Sequence, residues 1–482
     1  MVSVSPIPYA LDDLEMPRNP RQPSRSGSKP PSKRPDTVSE VAPKPSHSER
    51  LLAAMTQLAS SDGYAETSVA DVISRAGVSR QTFYECFSDR EDCFLAAYRQ
   101  SARQVLGALT RAIDSTSDFS RAPRAALEAI LAQIAEDPER SWLFFVEGLA
   151  GGPRTTAERE RMLQAFERGA EDFLESAPAL QMTLDIPPRA LLGAIRIAAI
   201  RCIGAWQLNV DDATSLQDDL LAWMSSYAVP SGQARWSTGP HALLGARAAR
   251  APAATPLLSR PGPLPRGNHR LPRGVVERNR RERIIRATAE AIQAEGYEDA
   301  KVAEIARAAG IGRDVLYRRF SDKRHLFLAA QAHATQEIFN GCARAYFAQA
   351  TWPERVYAGL ATLTEIIAAE PALAHLQMVA PYGAGAEAIE RTQQTSGMYA
   401  VFLEEGYGYR PQAAQLPRLC SSAIGDAVFE ILRGQIAAGH ASELPRHVPQ
   451  LAYITIAPFT GPAAAVELIE GLAGRRADGA AR

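Results

Sequence analysis

The sequence predicts an all-α protein made of two copies of one helical unit, and three observations carry that expectation. Residues 50 to 97 align without a gap with residues 283 to 330, 233 positions further on, and 17 of the 48 aligned pairs are identical. In both segments apolar residues recur at three- and four-residue spacing, the mark of a helix with one buried face. After each segment the chain continues in amphipathic helical pattern with few β-branched runs, broken by Pro and Gly. So long a period means duplication of a whole domain rather than a short-repeat solenoid.

The elements follow in order. Residues 1–46 are rich in Pro, Ser and basic charge with little periodicity, and are expected to be a disordered tail. The first helix of each copy carries Leu51, Leu52, Met55, Leu58 and Ala59, or Ile284, Ile285, Thr288, Ala291 and Ile292, and is stopped by Gly63 or Gly296. A second helix opens on Ser68, with Asp71 three residues later as a capping box, and buries Val69, Val72, Ile73 and Ala76. It ends at Gly77, or Gly310, where glycine permits the left-handed turn. Ser79, or Gly312, then caps a third short helix, and the pair reads as a helix-turn-helix. Ser88-Asp89, or Ser321-Asp322, caps a fourth short helix whose Phe-Leu-Ala-Ala face folds back on the unit.

The expected organisation is a tail at 1–46, a helix-turn-helix domain at 47–98, a helical domain at 99–229, a Pro/Gly/Arg-rich linker at 230–276, a second helix-turn-helix domain at 277–331, a second helical domain at 332–472 and a short tail at 473–482. The net charge of −1 conceals strong local asymmetry. Residues 17–34 hold six basic residues and no acid, and residues 230–283 hold eleven arginines against Glu277 and Glu282, so basic charge is concentrated beside both repeats.

Other function classes find little support. The longest apolar stretch, 190–206, contains Arg196 and Arg201, which are costly in lipid, so it reads as a buried helix and no membrane association is expected. The N-terminus lacks the basic start and apolar core of a secretory signal, and five cysteines form no CxxC pair, which points to a reduced, cytoplasmic protein. Cys86 and Cys93 straddle the end of the third helix, where an activated pair would make a redox switch. Eight scattered histidines, and no nucleophile elbow or phosphate-binding loop, lead us to expect no metal, no cofactor and no enzymatic activity.

A helix-turn-helix places its second helix in the major groove of double-stranded DNA, so polar groups near that helix's start reach base edges. In the first copy these are Ser79, Arg80, Gln81 and Thr82; in the second they are Arg313 and Asp314, with Arg318 one turn on. Arginine pairs bidentately with guanine, glutamine with adenine, and a carboxylate accepts from cytosine, so the two copies are expected to read different half-sites. Glu85 stands where the second copy has Arg318: either it repels phosphate and weakens the first reader, or it faces a cytosine amine.

Both units resemble the DNA-binding domain of the tetracycline-repressor (TetR) family of bacterial regulators. The resemblance rests on Gly63-Tyr64 and Gly296-Tyr297, on the runs 76–84 and 309–317, and on Phe-Ser-Asp-Arg/Lys at 87–90 and 320–323. It implies phosphate contacts from Tyr84 and Tyr317, from Arg90 and Lys323, and from Ser68 or Thr67, with Lys301 in that last role in the second copy. It also implies a helical ligand-binding and dimerisation domain after each reader, with 188–208 and 213–228 facing 413–438 and 446–460. Aromatic residues there, among them Trp142, Phe145, Phe173 and Trp206 in the first half and Tyr357, Tyr382, Tyr399 and Phe402 in the second, are candidates to line a pocket for an unidentified small-molecule effector, each with core packing as the alternative.

The expected function is that of a sequence-specific, ligand-responsive repressor whose two halves pair within one chain on an asymmetric operator; a further pairing of chains would give four readers. The alternative is a small-molecule-binding or protein-interaction module in which one or both helix-turn-helix units no longer bind DNA.

Overall fold

The computed structural model describes residues 45–115, 122–176, 182–207, 213–230, 262 and 271–480. The expected N-terminal tail and most of the expected linker lie outside these residues. The first half contains α1 (His47–Ser61), α2 (Val69–Ala76), α3 (Arg80–Cys86), α4 (Arg90–Asp114), α5 (Ala122–Glu136), α6 (Pro138–Phe145), α7 (Pro153–Ser176), β1 (Met182–Leu184), α8 (Pro188–Gln207), α9 (Ala213–Ser225) and β2 (Ala228–Pro230). The second contains α10 (Arg273–Asp299), α11 (Val302–Ala308), α12 (Arg313–Tyr317), α13 (Lys323–Phe347), α14 (Trp352–Ala369), α15 (Pro371–Met378), α16 (Ala386–Met398), α17 (Leu419–Ala437), α18 (Val448–Thr460) and α19 (Pro462–Ala480). The all-α expectation holds; β1 and β2 form one small antiparallel pair that the sequence did not announce.

Local chemistry accounts for the boundaries. Ser46 and Ser68 form reciprocal capping boxes with Glu49 and Asp71 at the starts of α1 and α2. Gly77 ends α2 in the left-handed conformation (φ 61°), and Gly310 has the same φ in the second copy. Within α10 the backbone breaks at Gly296 (φ 81°, ψ 166°), where the sequence places the end of the first helix.

Four boundaries differ from the sequence reading. The fourth helix of each unit is not short: α4 and α13 each run for 25 residues, crossing the expected domain boundaries at 98 and 331. A continuous rod therefore joins each helix-turn-helix to the helical region behind it. Helix α10 begins at Arg273, inside the expected linker, because Pro272 with its fixed φ starts the helix. Helix α19 runs on to Ala480, through most of the expected C-terminal tail.

The halves meet along α8 and α17. A Cβ placed on Gly193 would lie 2.5 Å from the Asp426 carbonyl oxygen, so the two backbones approach as closely as glycine allows. Buried Ala190, Ala194, Ala423 and Ala427 keep the seam narrow. The Tyr227 hydroxyl, just beyond α9, donates to the Ile454 carbonyl in α18 at 2.6 Å. The segments implied as a pairing surface are thus in mutual contact, and one core cluster runs through both halves. No single helix among the described residues is long and apolar enough to cross a membrane.

Candidate nucleic-acid interface and effector cavity

The helix-turn-helix is locked from behind by a residue identical in both copies. The Arg50 guanidinium donates to the carbonyls of Ala76 and Gly77, the latter at 2.8 Å, and Arg283 donates to Gly310 at 3.2 Å. These carbonyls terminate the second helix, so each arginine satisfies groups that the turn leaves orphaned. The sequence held the signal, an invariant arginine at the head of both repeats, but on its own it did not reveal the partner.

Beyond this lock the recognition helices stand free. Ser79 caps α3, accepting from the Thr82 amide at 3.0 Å, while Arg80, Gln81 and Tyr84 are exposed. Gln81 donates to Glu85 at 2.9 Å, which holds that carboxylate along the helix. In the second copy Arg313, Asp314, Tyr317 and Arg318 are all exposed, with Arg318 paired to Asp314 at 3.1 Å. Gly312 offers no side-chain cap, and α12 has five residues against the seven of α3, leaving Arg318 just past its end. Tyr84 and Tyr317, 48% and 45% exposed, are unusually open for large aromatics and are available to a partner.

The flanking candidates divide. Ser68 and Lys301 are exposed at the starts of α2 and α11. Thr67 is a correction: it is 2% exposed and its hydroxyl is committed to the Gly63 carbonyl at 2.8 Å, so the helix start turns Ser68 outward and Thr67 inward. Arg90 donates to the Thr67 carbonyl at 3.0 Å, lies 4.5 Å over the Tyr64 ring and pairs with Glu298 of the other unit at 2.5 Å. Lys323, its counterpart, donates to the carbonyls of Tyr297 and Glu298 at 2.7 and 2.8 Å. The residue matching Glu298 in the first copy is Ala65, so the cross-unit ion pair is one-sided. Cys86 and Cys93 are not activated: burial raises both thiols, and the carboxylates of Glu85 and Asp92 respectively add to the effect.

One acid links the first reader to the region behind it. Buried Glu147 accepts from the Tyr64 amide at 2.9 Å, and burial pushes its carboxyl up to about 6 despite that bond and one from Trp142. A raised acid favours folding when protonated, so its contribution is full below the ordinary carboxyl value of 4.5 and is lost as pH rises through about 6. The span corresponds to about 2 kcal/mol. Unfolding free energy should therefore decline across this window, and Glu147→Gln should flatten the decline; an unchanged pH profile in the variant would show that Glu147 does not titrate there.

The second half holds a partly open cavity of about 120 Å³ between α13, α14, α16 and α17. Tyr399 and Phe402 line it, together with Leu363, Met378, Val428 and Phe429, and Gln377, Thr392, Thr395 and Ser396 supply neutral polar groups. Tyr357 and Tyr382 do not. Tyr382 is instead buried at the seam, where its hydroxyl accepts from Arg196 at 3.3 Å. In the first half Phe145 borders a void of about 40 Å³ shared with Tyr98, Arg159 and Arg196, and Trp142 packs by Glu147. The side chains of Phe173 and Trp206 lie outside the described residues.

The seam also holds two buried ionic groups that the sequence reading missed. Arg196 of α8 pairs with Asp426 of α17 at 2.8 Å, and Arg159 of α7 pairs with Glu430 at 2.9 Å, with Arg433 on the same carboxylate at 3.0 Å. Burial alone would raise Glu430, but Arg159 and then Arg433 outweigh it and hold the carboxyl well below the usual range.

These features define a protein with two helix-turn-helix units. Residues 51–97 and 284–330 each match the family described as bacterial regulatory proteins, tetR family. The chain thus carries two tandem segments that each match this family's model. It is similar to the HTH-type transcriptional activator FasR of Mycolicibacterium smegmatis, 26% identical over 163 residues that cover 34% of this chain and 72% of FasR. It is also similar to the HTH-type transcriptional regulator BetI of Stenotrophomonas maltophilia, 39% identical over 74 residues, 15% of this chain and 38% of BetI. The chain is a DNA-binding transcriptional regulator of the helix-turn-helix class.

Proposed function

We propose that this chain is a ligand-responsive repressor that acts as its own dimer, placing two unlike readers on an asymmetric operator. The observation that carries the reading is the seam: α7, α8 and α9 of the first half pack against α17 and α18 of the second, burying charged pairs in which neither member could stay buried without the other at low cost. Unlike recognition helices then face unlike half-sites, Arg80-Gln81-Thr82 on one side and Arg313-Asp314 with Arg318 on the other. The cavity in the second half is the effector site of this reading. An effector shifts the balance between DNA-competent and DNA-released forms only by binding one more tightly than the other.

The sign of regulation is tested with a reporter driven from the selected operator. A repressor gives higher expression when the chain is deleted; lower expression would make it an activator, as FasR is named. In this reading a phosphate approaching Arg90 competes with Glu298. Glu298→Gln is expected to tighten operator binding by up to about 5-fold, because a partly exposed pair is worth at most about 1 kcal/mol. Weaker binding by this variant, measured by titration of labelled operator, would mean that the cross-unit pair helps set the spacing of the readers instead of restraining Arg90.

A further inference from the structure

The effector cavity carries a chemical specification. No Asp, Glu, Lys, Arg or His is among its lining residues, so a charged group inside would lose its hydration without a counter-ion. The Tyr399 hydroxyl stands at the wall beside the Cys342 thiol, a weak acceptor, and meets no oxygen or nitrogen partner among the described residues. Burial keeps that phenol protonated, so it offers a donor to an acceptor in the cavity. The cavity volume of about 120 Å³ is of the order that holds a single benzene ring in a protein interior.

The cavity wall is also in contact with the other half of the chain. Ser396, on the wall, donates to Asp426 at 3.0 Å, and the other Asp426 oxygen takes Arg196 of α8 at 2.8 Å. The Arg196 guanidinium lies 5.5 Å from the centre of the Phe429 ring, a second wall residue. On its far side Arg196 borders the 40 Å³ void whose other walls include Tyr98 and Leu106 of α4, the helix that starts at the first reader. One first-half side chain thus stands between the second-half cavity and the rod of the first reader, with space beside it to move.

We propose that the cavity binds a neutral, mainly apolar molecule of about one-ring size bearing a hydrogen-bond acceptor, and that Arg196 transmits its occupancy to the first half. This rests on the effector reading above and adds the ligand class and the cross-half route. A molecule that bonds Tyr399 and crowds Ser396 and Phe429 alters both groups that hold the Arg196 guanidinium. The rearrangement reaches α4 at Tyr98 and Leu106, so one occupied cavity biases both readers.

The test uses the full chain with benzyl alcohol, benzoate and benzylammonium as ring-matched probes, binding followed by calorimetry and the response by amide hydrogen exchange. Benzyl alcohol is expected to bind at least 10-fold more tightly than either ion, Val428→Phe to abolish its binding, and exchange to change in α4 and α8 as well as in α16 and α17. Ser396→Ala leaves the Arg196–Asp426 pair in place; at saturating probe the response in α4 should fall by at least half while that in α16 and α17 persists. Equal binding of benzoate, binding that survives Val428→Phe, a response confined to the second half, or an undiminished α4 response in Ser396→Ala would each overturn the proposal. Because exchange is read without DNA, failure of the operator reading would appear separately, as a chain that responds to probe but selects no DNA.

Discussion

Replacing Glu430 with Gln is expected to destabilise the chain by about 3–5 kcal/mol, the cost of leaving buried arginines without their counter-charge. Glu430 is 1% exposed, and it accepts from Arg159 of the first half and Arg433 of its own helix. The pair is not evidence that charges stabilise the seam better than apolar residues would; the large effect arises because the substitution removes only one side. Since the folded carboxyl is held below its usual value, its contribution is present above the unfolded pKa and is lost only as pH falls through the depressed folded value. Urea unfolding at pH 7 should therefore show the full loss, and the loss should shrink in strong acid. A change under about 1 kcal/mol at pH 7 would mean that water reaches the cluster and that the seam is looser than the structure describes.

Removing one base-reading group from each reader should give losses on opposite halves of the operator. Arg313→Ala is expected to weaken specific binding by about 1–3 kcal/mol, roughly 5- to 150-fold, and to relax selectivity only in the half-site of the second reader. Gln81→Ala should do the same in the other half-site, with a smaller loss if its bond to Glu85 already restrains it. Both substitutions are at exposed positions away from the core, so stability should change by less than about 0.5 kcal/mol. Affinity should also fall steeply with salt, log K losing about 0.9 per decade of salt for each phosphate neutralised. A Gln81→Ala chain with unchanged affinity and selectivity would mean that the first helix-turn-helix does not read bases.

Local grammar made the readers legible. The Ser68–Asp71 box, Gly77 and Gly310 at the turns, and the stops at Gly63 and Gly296 are encoded within a few residues, and each sits where the pattern puts it. Ser68 and Thr67 stay alternatives in the sequence because one step along a helix start separates an outward hydroxyl from an inward one, and sequence does not fix that phase. The lengths of α4 and α13 were missed because no breaker was needed to find the boundary, only the loss of similarity between copies.

Long-range partnerships were less legible. Arg196 was noticed as a charge too costly for lipid, yet nothing near it in the chain names Asp426, 230 residues away. The aromatic candidates show the same limit: Tyr399 and Phe402 reach the cavity while Tyr382, equally aromatic and more deeply buried, goes to the seam. Helical periodicity says that a side chain faces inward, and packing between helices distant in sequence decides what it meets.

Whether one chain carries two unlike readers paired within itself is decided by selecting bound DNA from a random library with the purified chain while recording the mass of the complex. One asymmetric site with two dissimilar halves, occupied by a single chain, is expected. A palindrome occupied by two chains would contradict it, placing the working pair between molecules and leaving one reader of each silent.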